Sequence, residues 1–197
     1  MESRILSLPK ELSQLYQNCS ERKLVSGAKW AAEMLLYLPE NLEEEPGSSG
    51  ENTLTTLSAS ESRVFRMVHS CMDCQEFDRA ANFTRTSQTP ILKFLHYYAR
   101  YLSGEKKRLD NTADVLDKGK KFKNEELSAL YEDLQSVAND ESNPQVDPYV
   151  KYMFGVVLNG LNLKADAVHA LADSINAYPT FWPAWAELAK VLESKDE

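Results

Sequence analysis

The sequence predicts an all-α fold made of short helices that follow one another in pairs. Apolar residues recur at spacings of three and four in successive segments, which is the period of one face of an α-helix. The 197 residues include seven glycines, and the alternation of apolar and polar residues that marks half-buried strands is hard to find. Prolines separate many of the helical segments. Together these observations indicate a series of helical hairpins.

The composition is that of a globular protein with an acidic balance. A net charge of −8 argues against a nucleic-acid partner, because phosphate binding requires a basic surface. No apolar run approaches the ~20 residues of a membrane span, and the N-terminus lacks the pattern of a signal peptide. Three cysteines are too few for a disulfide framework and fit a reducing compartment. We therefore expect an intracellular protein with no nucleic-acid and no membrane partner.

Two helical segments open the chain, at residues 8–22 and 24–38, and Pro39 closes the second. Residues 40–60 are acidic and rich in Ser, Thr and Gly, a composition typical of a flexible connector. Six further helical segments follow, and a last one starts near Pro183, since proline suits the first helical turn. The six lie at 61–73, 75–88, 91–103, 124–137 (capped by Asn124), 149–160 and 164–177.

The second half of the chain carries a repeat pattern. Residues 151–158 (KYMFGVVL) place an aromatic, a small residue and a leucine at the spacings of a first helix in a tetratricopeptide repeat. Ala167 and Leu171 fit the second helix, and Pro179 supplies the break that ends it. The small residues allow two helices to approach closely. The predicted fold class is therefore an all-α tetratricopeptide (TPR) solenoid, a right-handed superhelix of stacked hairpins.

The same pattern restarts at residues 185–192 (WAELAKVL), and its small residue Ala189 follows Gly155 by 34 residues, one full period. Upstream, residues 95–102 (LHYYARYL) fit a first helix whose small residue is Ala99. Ala99 precedes Gly155 by 56 residues, which is 22 more than one period. The surplus predicts an insertion in this repeat.

Two weaker matches come earlier in the chain. Residues 64–71 fit a first helix, with one alanine of the pair Ala80–Ala81 as the close-contact residue of the second. The stretch 12–39 gives the first and weakest repeat, with one alanine of the pair Ala31–Ala32 in that role. Internal repetition over several hairpins makes the solenoid interpretation stronger than any one match.

The insertion is assigned to residues 104–123, which hold seven basic and four acidic residues. We expect a solvated loop there, with a nuclear-localisation or acidic-partner patch as the alternative. Because the last predicted repeat has a first helix and no second, we expect the chain to be an N-terminal piece of a longer solenoid. The predicted parts of this single array are a first helical pair (8–39), a linker (40–60), a second repeat (61–90), a third repeat (91–140), a fourth repeat (148–181) and the first helix of a truncated fifth (182–197).

Several segments resemble one protein family. They are AKWAAE at 28–33, YLP at 37–39, DRAA at 78–81, ARYLSGEKK at 99–107, KN and the following Glu at 123–125, FGVVL at 154–158 and WPAWAEL at 182–188. Together they resemble the N-terminal region of the cell division cycle protein 23 family, whose members are TPR subunits of the anaphase-promoting complex. The resemblance implies a non-catalytic scaffold in a nuclear and cytoplasmic ubiquitin ligase that drives mitosis. It also implies homodimers formed through N-terminal repeats, and contacts with other TPR and scaffold subunits.

Partner-binding residues are expected on two surfaces. The first helices of stacked repeats line a concave groove, and the register places there Phe65, His69, Met72, His96, Arg100, Tyr152, Val156 and Asn159. The N-terminal helix has an apolar face suited to a partner's groove, formed by Leu8, Leu12, Leu15 and Tyr16. By the family's habit we expect this helix to lie in the groove of a second protomer around a two-fold axis. The alternatives are that the groove residues pack within the array, and that the face packs only on its own second helix around Trp30.

Two other classes of function stay open. A peptide-recognition module would capture a partner's tail in the groove, although Arg100 is the one basic residue among those assigned to it. A metal- or thiol-dependent enzyme would use Cys71 and Cys74 with His69 nearby. Zinc requires four ligands, and a redox Cys-x-x-Cys is expected near a βαβ pattern; neither companion set is found. We expect no enzyme activity, no cofactor, no metal and no small-molecule substrate.

Overall fold

The computed structural model describes residues 2–39, 57–113, 122–138 and 146–193, with side chains from residue 7 onward. These ranges contain helices and turns and no strand, so the all-α prediction is confirmed. No helix within them combines the length and apolar character that a membrane span needs. The helices are α1 (Glu2–Glu21), α2 (Val25–Leu36), α3 (Ala59–Asp73), α4 (Phe77–Thr84), α5 (Pro90–Ala113), α6 (Glu126–Ala138), α7 (Pro148–Gly160), α8 (Lys164–Ala177) and α9 (Trp182–Glu193).

The chain forms two compact units, Met1–Leu95 (unit 1) and His96–Glu197 (unit 2). In unit 1, α1 packs against α2, α2 against α3, and α3 against α4. In unit 2, α6 packs against α7, α7 against α8, and α8 against α9. Within each unit these helices pack on their neighbours in sequence, which is the arrangement of a helical-repeat fold. The assignment of particular helices to numbered repeats stays a prediction.

Three of the hairpins are closed by the same turn. Its central residue is left-handed in each case: Lys23 has φ 56°, Gln75 57° and Asn162 64°. The following amide donates to a carbonyl five residues back, in the pairs Leu24 to Cys19 (2.9 Å), Glu76 to Cys71 (2.8 Å) and Leu163 to Leu158 (2.9 Å). This Schellman arrangement satisfies carbonyls at the end of the first helix. One backbone geometry thus recurs in α1–α2, α3–α4 and α7–α8.

A buried alanine stands at the same position after the turn in each of the three second helices. Five residues after the left-handed residue lies a buried alanine: Ala28, Ala80 or Ala167, each at most 3% exposed. Of the predicted pair Ala80–Ala81, the alanine that lies five residues after the left-handed Gln75 is Ala80. In the first hairpin that position is Ala28, and the predicted Ala31 and Ala32 lie about one turn further along α2 and are also completely buried.

The close approach predicted at Gly155 is confirmed. A Cβ atom placed on Gly155 would lie 2.6 Å from Cγ of Leu171 on α8, well inside contact distance. Leu171 in turn belongs to a buried cluster with Leu158, Ala167 and Val191. Because Gly155 has no side chain, Leu171 of α8 packs directly against the backbone of α7.

Several helix ends differ from the prediction. Helix α1 begins at Glu2, well before residue 8. Helix α3 begins at Ala59, inside the predicted linker, because Ser58 forms a capping box with Glu61. The linker residues 40–56 lie outside the described residues. So do residues 139–145.

The largest difference concerns residues 104–123, for which a solvated loop was expected. Residues 104–113 are instead the C-terminal part of α5. The Glu105 carboxylate accepts hydrogen bonds from Nε (3.0 Å) and Nη2 (2.8 Å) of Arg108, one turn further on, and such pairs support a helix. No proline interrupts the segment. Residues 114–121 lie outside the described residues.

Candidate interaction surfaces

Two of the segments that resemble the family contact each other in unit 1. On α2, Lys29 pairs with Glu76 and Glu33 pairs with Arg79, while Arg79 Nη1 lies 3.3 Å from the second oxygen of Glu76. The hydrogen bond from Lys29 lowers the pKa of Glu76, and the same bond raises the pKa of Lys29. A chain of four alternating charges therefore holds α2 against the turn before α4 and the start of α4.

A second pair of family-like segments meets in unit 2. The side chain of Asn124 donates to the backbone oxygen of Tyr101 (3.2 Å) and to Oε1 of Glu105 (3.0 Å), and it accepts from the amide of Glu126 (3.0 Å). A Cβ atom on Gly104 would lie 1.8 Å from Oδ1 of Asn124. Asn124 therefore caps α6, as predicted, and it also docks α6 on α5 through a gap that only glycine leaves open.

The aromatic stretch near the end of the chain is partly structural. The indole Nε1 of Trp185 donates to the backbone oxygen of Pro179 at 2.9 Å, which ties α9 to the turn before it. The ring of Phe181 meets Tyr149 edge-on at 4.7 Å and Tyr152 edge-on at 5.2 Å between centroids. The aromatic residues thus pack the α8–α9 turn against α7, although the ring of Trp185 stays 45% exposed.

The predicted face of the N-terminal helix divides into two parts. Leu12 is buried, and Tyr16 is half-buried beside Arg66 of α3, whose guanidinium carbon lies 5.9 Å from the ring centroid. Burial raises the pKa of Tyr16. Leu8 and Leu15 remain 38% and 39% exposed. Leu12 and Tyr16 therefore pack within the chain, whereas Leu8 and Leu15 are accessible to a partner.

Among the predicted groove residues of unit 2, Arg100 contacts α6. Its Nε lies 3.6 Å from Oε2 of Glu126, and its Nη1 pairs with Asp133. The ring of His96 lies edge-on to the ring of the adjacent Tyr97, with 5.5 Å between the ring centroids. Arg100 is therefore used to join the two helices of one hairpin, and a role for it in partner binding stays a prediction.

The groove residues predicted on α7 are also engaged in unit 2. Val156 is buried, and Nδ2 of Asn159 donates to Oε1 of Glu187 at 2.9 Å. Tyr152 contacts the ring of Phe181, as described above. These side chains face α9 or the core, so packing within the array accounts for them, and their binding role is untested.

The groove residues predicted on α3 are more accessible. His69 is exposed, its ring lies 5.6 Å from that of Phe65, and its Nδ1 is 4.0 Å from the Asp73 carboxylate. Met72 and Phe65 are partly buried. This face of α3 presents the rings of Phe65 and His69 beside the Asp73 carboxylate, and its role in partner binding stays a prediction.

Sequence reasoning missed one apolar surface. Trp30, Met34 and Tyr37 lie at the end of the first hairpin and are 53%, 40% and 73% exposed. Their spacing of four and three places them on one face of α2 and its C-terminal end. That spacing was visible in the sequence, but Trp30 was considered only as a packing residue. We call these three side chains the α2 stripe.

The Cys71 thiol, considered above for metal or redox chemistry, is buried. Cys71 is fully buried, and burial raises the pKa of its thiol to about 11, so the thiolate needed for redox chemistry is disfavoured at neutral pH. All three cysteines are free thiols. Within the part of the chain that the structure describes, no group of three His, Cys, Asp or Glu side chains is arranged to hold a metal ion.

Comparison with known proteins gives consistent matches along the chain. A family model for anaphase-promoting complex subunit 8 / Cdc23 matches residues 7–197. The cell division cycle protein 23 homologs of Bos taurus and Homo sapiens are each 31% identical over 201 residues, covering 98% of this chain and 32% of theirs. Anaphase-promoting complex subunit 8 of Arabidopsis thaliana is 29% identical over 219 residues, covering 93% of this chain and 37% of its own. The chain spans about a third of the length of these relatives.

Proposed function

The chain belongs to the anaphase-promoting complex subunit 8 / Cdc23 family, and on that premise we propose that it is a non-catalytic scaffold and homodimerisation module of an anaphase-promoting complex, an E3 ubiquitin ligase. The match of the family model over residues 7–197 carries this proposal. The stacked hairpins support it, because helical repeats offer extended surfaces for other proteins. The proposed partners are a second copy of the chain and other TPR and scaffold subunits of the complex, in the nucleus and cytoplasm.

The chemistry of the described side chains fits a non-catalytic role. The charge chain from Lys29 to Glu33 through Glu76 and Arg79 joins helices to one another. The Cys71 thiol is buried in the core. The buried side chain of Asn124 caps a helix. Side chains that a catalytic site would present to a substrate are used here to hold the array together.

The proposed homodimer uses α1, whose two outward leucines have the spacing of helix anchors. Leu8 and Leu15 lie seven residues apart, two helical turns, and both remain accessible. Leu12 is buried, so a charge there would test folding instead of association. The informative variant is therefore Leu8→Glu with Leu15→Glu.

The test is the solution mass measured by light scattering after size exclusion, over a range of concentrations. We expect twice the 22.3 kDa chain mass for the wild type at low micromolar concentration and the monomer mass for the double variant. The matched control, Leu109→Glu with Leu163→Glu, changes two leucines of unit 2 that are at least as exposed as Leu8 and Leu15 (56% and 40%) and should stay dimeric. A wild-type monomer at every concentration would contradict the dimer and favour a module that captures a partner's peptide.

A further inference from the structure

We propose that Thr89 is a phosphorylation site for a proline-directed protein kinase, and that its phosphate releases the start of α5 from the start of α3. Thr89 stands directly before α5, whose first residue is Pro90. The inference goes beyond the proposed scaffold role, because it makes one internal contact of the scaffold adjustable by a covalent modification. It does not depend on the proposed homodimer.

The sequence around Thr89 has the form that such a kinase requires. Thr89 is the one serine or threonine among the 197 residues that is followed by proline. Proline has no amide hydrogen, and it holds the residue before it in an extended conformation. A proline-directed kinase recognises its site by the residue that follows the acceptor hydroxyl. Such an enzyme would therefore find a single acceptor in this chain.

Thr89 lies at the surface, at the end of the turn that joins α4 to α5. The side chain of Thr89 is partly exposed. Its neighbours on both sides are exposed, namely Arg85, Thr86, Gln88 and Pro90. An enzyme that approaches from solvent can therefore reach this turn without first unfolding a helix.

In the unmodified chain the Thr89 hydroxyl joins two helices. It donates to Oε1 of Glu61, the third residue of α3, and the two residues lie 28 positions apart in the sequence. The other oxygen of this carboxylate, Oε2, accepts from the amide (3.0 Å) and the hydroxyl (2.7 Å) of Ser58. One carboxylate thus holds the start of its own helix through Oε2 and the start of α5 through Oε1.

A phosphate on Thr89 would replace this attraction by repulsion. The kinase transfers the γ-phosphoryl group of ATP: its bond to the β-phosphate breaks, a new bond forms to Oγ1, ADP leaves, and the hydroxyl proton passes to the catalytic base of the kinase. Glu61 loses its donor and faces a group with a charge of about −1.5 to −2. Hydrogen bonds from Thr89 and then Ser58 lower the pKa of Glu61, and these donors carry no charge that could neutralise two anions.

The phosphate also has a new partner on its own helix. Lys93 lies four residues after Thr89, and its backbone amide donates to the backbone oxygen of Thr89 at 2.9 Å. Side chains at this spacing on a helix are neighbours, and an ammonium group beside a phosphate forms a strong, charge-assisted hydrogen bond. Phosphorylation would therefore exchange a contact between α3 and α5 for a contact within α5.

The first test is phosphorylation of the folded chain by a purified proline-directed kinase with magnesium and ATP, followed by mass spectrometry. We expect one phosphate, on Thr89, and none in Thr89→Val. Pro90→Ala should abolish the labelling, because the residue that the kinase recognises is gone. Ser87 lies in the same turn and is not followed by proline, so it is the internal control and should stay unmodified.

The second test is the effect of the phosphate on stability, measured by thermal melting. We expect a fall in Tm of about 2–4 °C for a chain of this size. Glu61→Gln is the matched background: the amide keeps the shape of the carboxylate and removes its charge, so phosphorylation should there leave Tm nearly unchanged. Thr89→Val loses the hydroxyl and adds no charge, so its Tm should fall less than that of the phosphorylated wild type.

Two outcomes would overturn the inference. A folded chain that stays unlabelled, whether or not a peptide of residues 83–95 is labelled, would show that Thr89 is not a site in this protein. A chain that is labelled on Thr89 but melts as before, or loses as much in the Glu61→Gln background, would show that the phosphate does not act on the contact between α3 and α5. Neither outcome bears on the proposed homodimer, which the solution mass tests separately.

Discussion

The contact between Gly104 and Asn124 predicts an unusually large effect for a glycine-to-alanine change inside a helix. In Gly104→Ala the new methyl group would lie 1.8 Å from Oδ1 of Asn124, so the amide must leave its place. It would lose its hydrogen bonds to Tyr101, Glu105 and Glu126. Three bonds at about 1 kcal/mol each cost about 3 kcal/mol, and alanine returns about 1 kcal/mol through its higher helix propensity. We expect a net destabilisation of about 2 kcal/mol.

The assay is thermal and urea unfolding followed by circular dichroism. For a chain of this size, 2 kcal/mol corresponds to a fall in Tm of about 4–8 °C. The same substitution in an Asn124→Ala background should cost little, because the atoms that would clash are gone. Gly160→Ala is the control: its methyl would lie 3.0 Å from a flexible end of the Leu127 side chain, which can shift. A neutral Gly104→Ala, or an equal cost in both backgrounds, would refute the reasoning.

Three further predictions concern unit 1. Lys23→Gly should raise the free energy of unfolding by about 0.5–1 kcal/mol, since glycine adopts a left-handed φ without strain; a loss in urea unfolding would contradict this, and Lys23→Ala should bring no gain. Cys71 should resist iodoacetamide in the folded protein at pH 8 while Cys74 reacts, because the Cys71 thiol is buried and its pKa is raised; mass spectrometry showing Cys71 labelled first would exclude this. Glu76→Gln should lower stability at pH 7 by less than about 1 kcal/mol. Because the pKa of Glu76 is lowered in the fold, the wild-type advantage should be complete above the ordinary pKa of a glutamate and be lost progressively as the pH falls through the lowered value of the folded protein; a difference that does not shrink on acidification would show that the loss is not ionic.

The sequence predicted the positions where helices touch through small residues. Gly155, Ala167 and Leu171 were found because a 34-residue period and a close helix approach both require particular residue types at particular spacings. Asn124 was found as a helix cap for the same reason, since only a few side chains can accept the amide hydrogen bonds of a first turn. Requirements of this kind involve fixed residue types at fixed spacings, so they can be recognised from the sequence alone.

Surfaces that depend on neighbouring helices were harder to predict. Arg100 was placed in the groove by its register in the repeat, and its pairing with Glu126 and Asp133 of α6 could not be inferred because these carboxylates lie 26 and 33 residues further along the chain. The partner of Gly104 lies 20 residues further along the chain, beyond the reach of any helical period. The exposure of Trp30 depends on whether another helix covers it, and its large apolar side chain suggested burial.

The turn shared by the three hairpins tolerates sequence divergence during evolution. Its hydrogen bonds run between main-chain atoms, so lysine, glutamine and asparagine can occupy the same left-handed position at Lys23, Gln75 and Asn162. The geometry of a hairpin can therefore be inherited while nearly every side chain around it is replaced. Searches by residue identity will lose such hairpins early in their divergence, as the faint first repeat of this chain illustrates, whereas a search by backbone torsion angles would still recognise them.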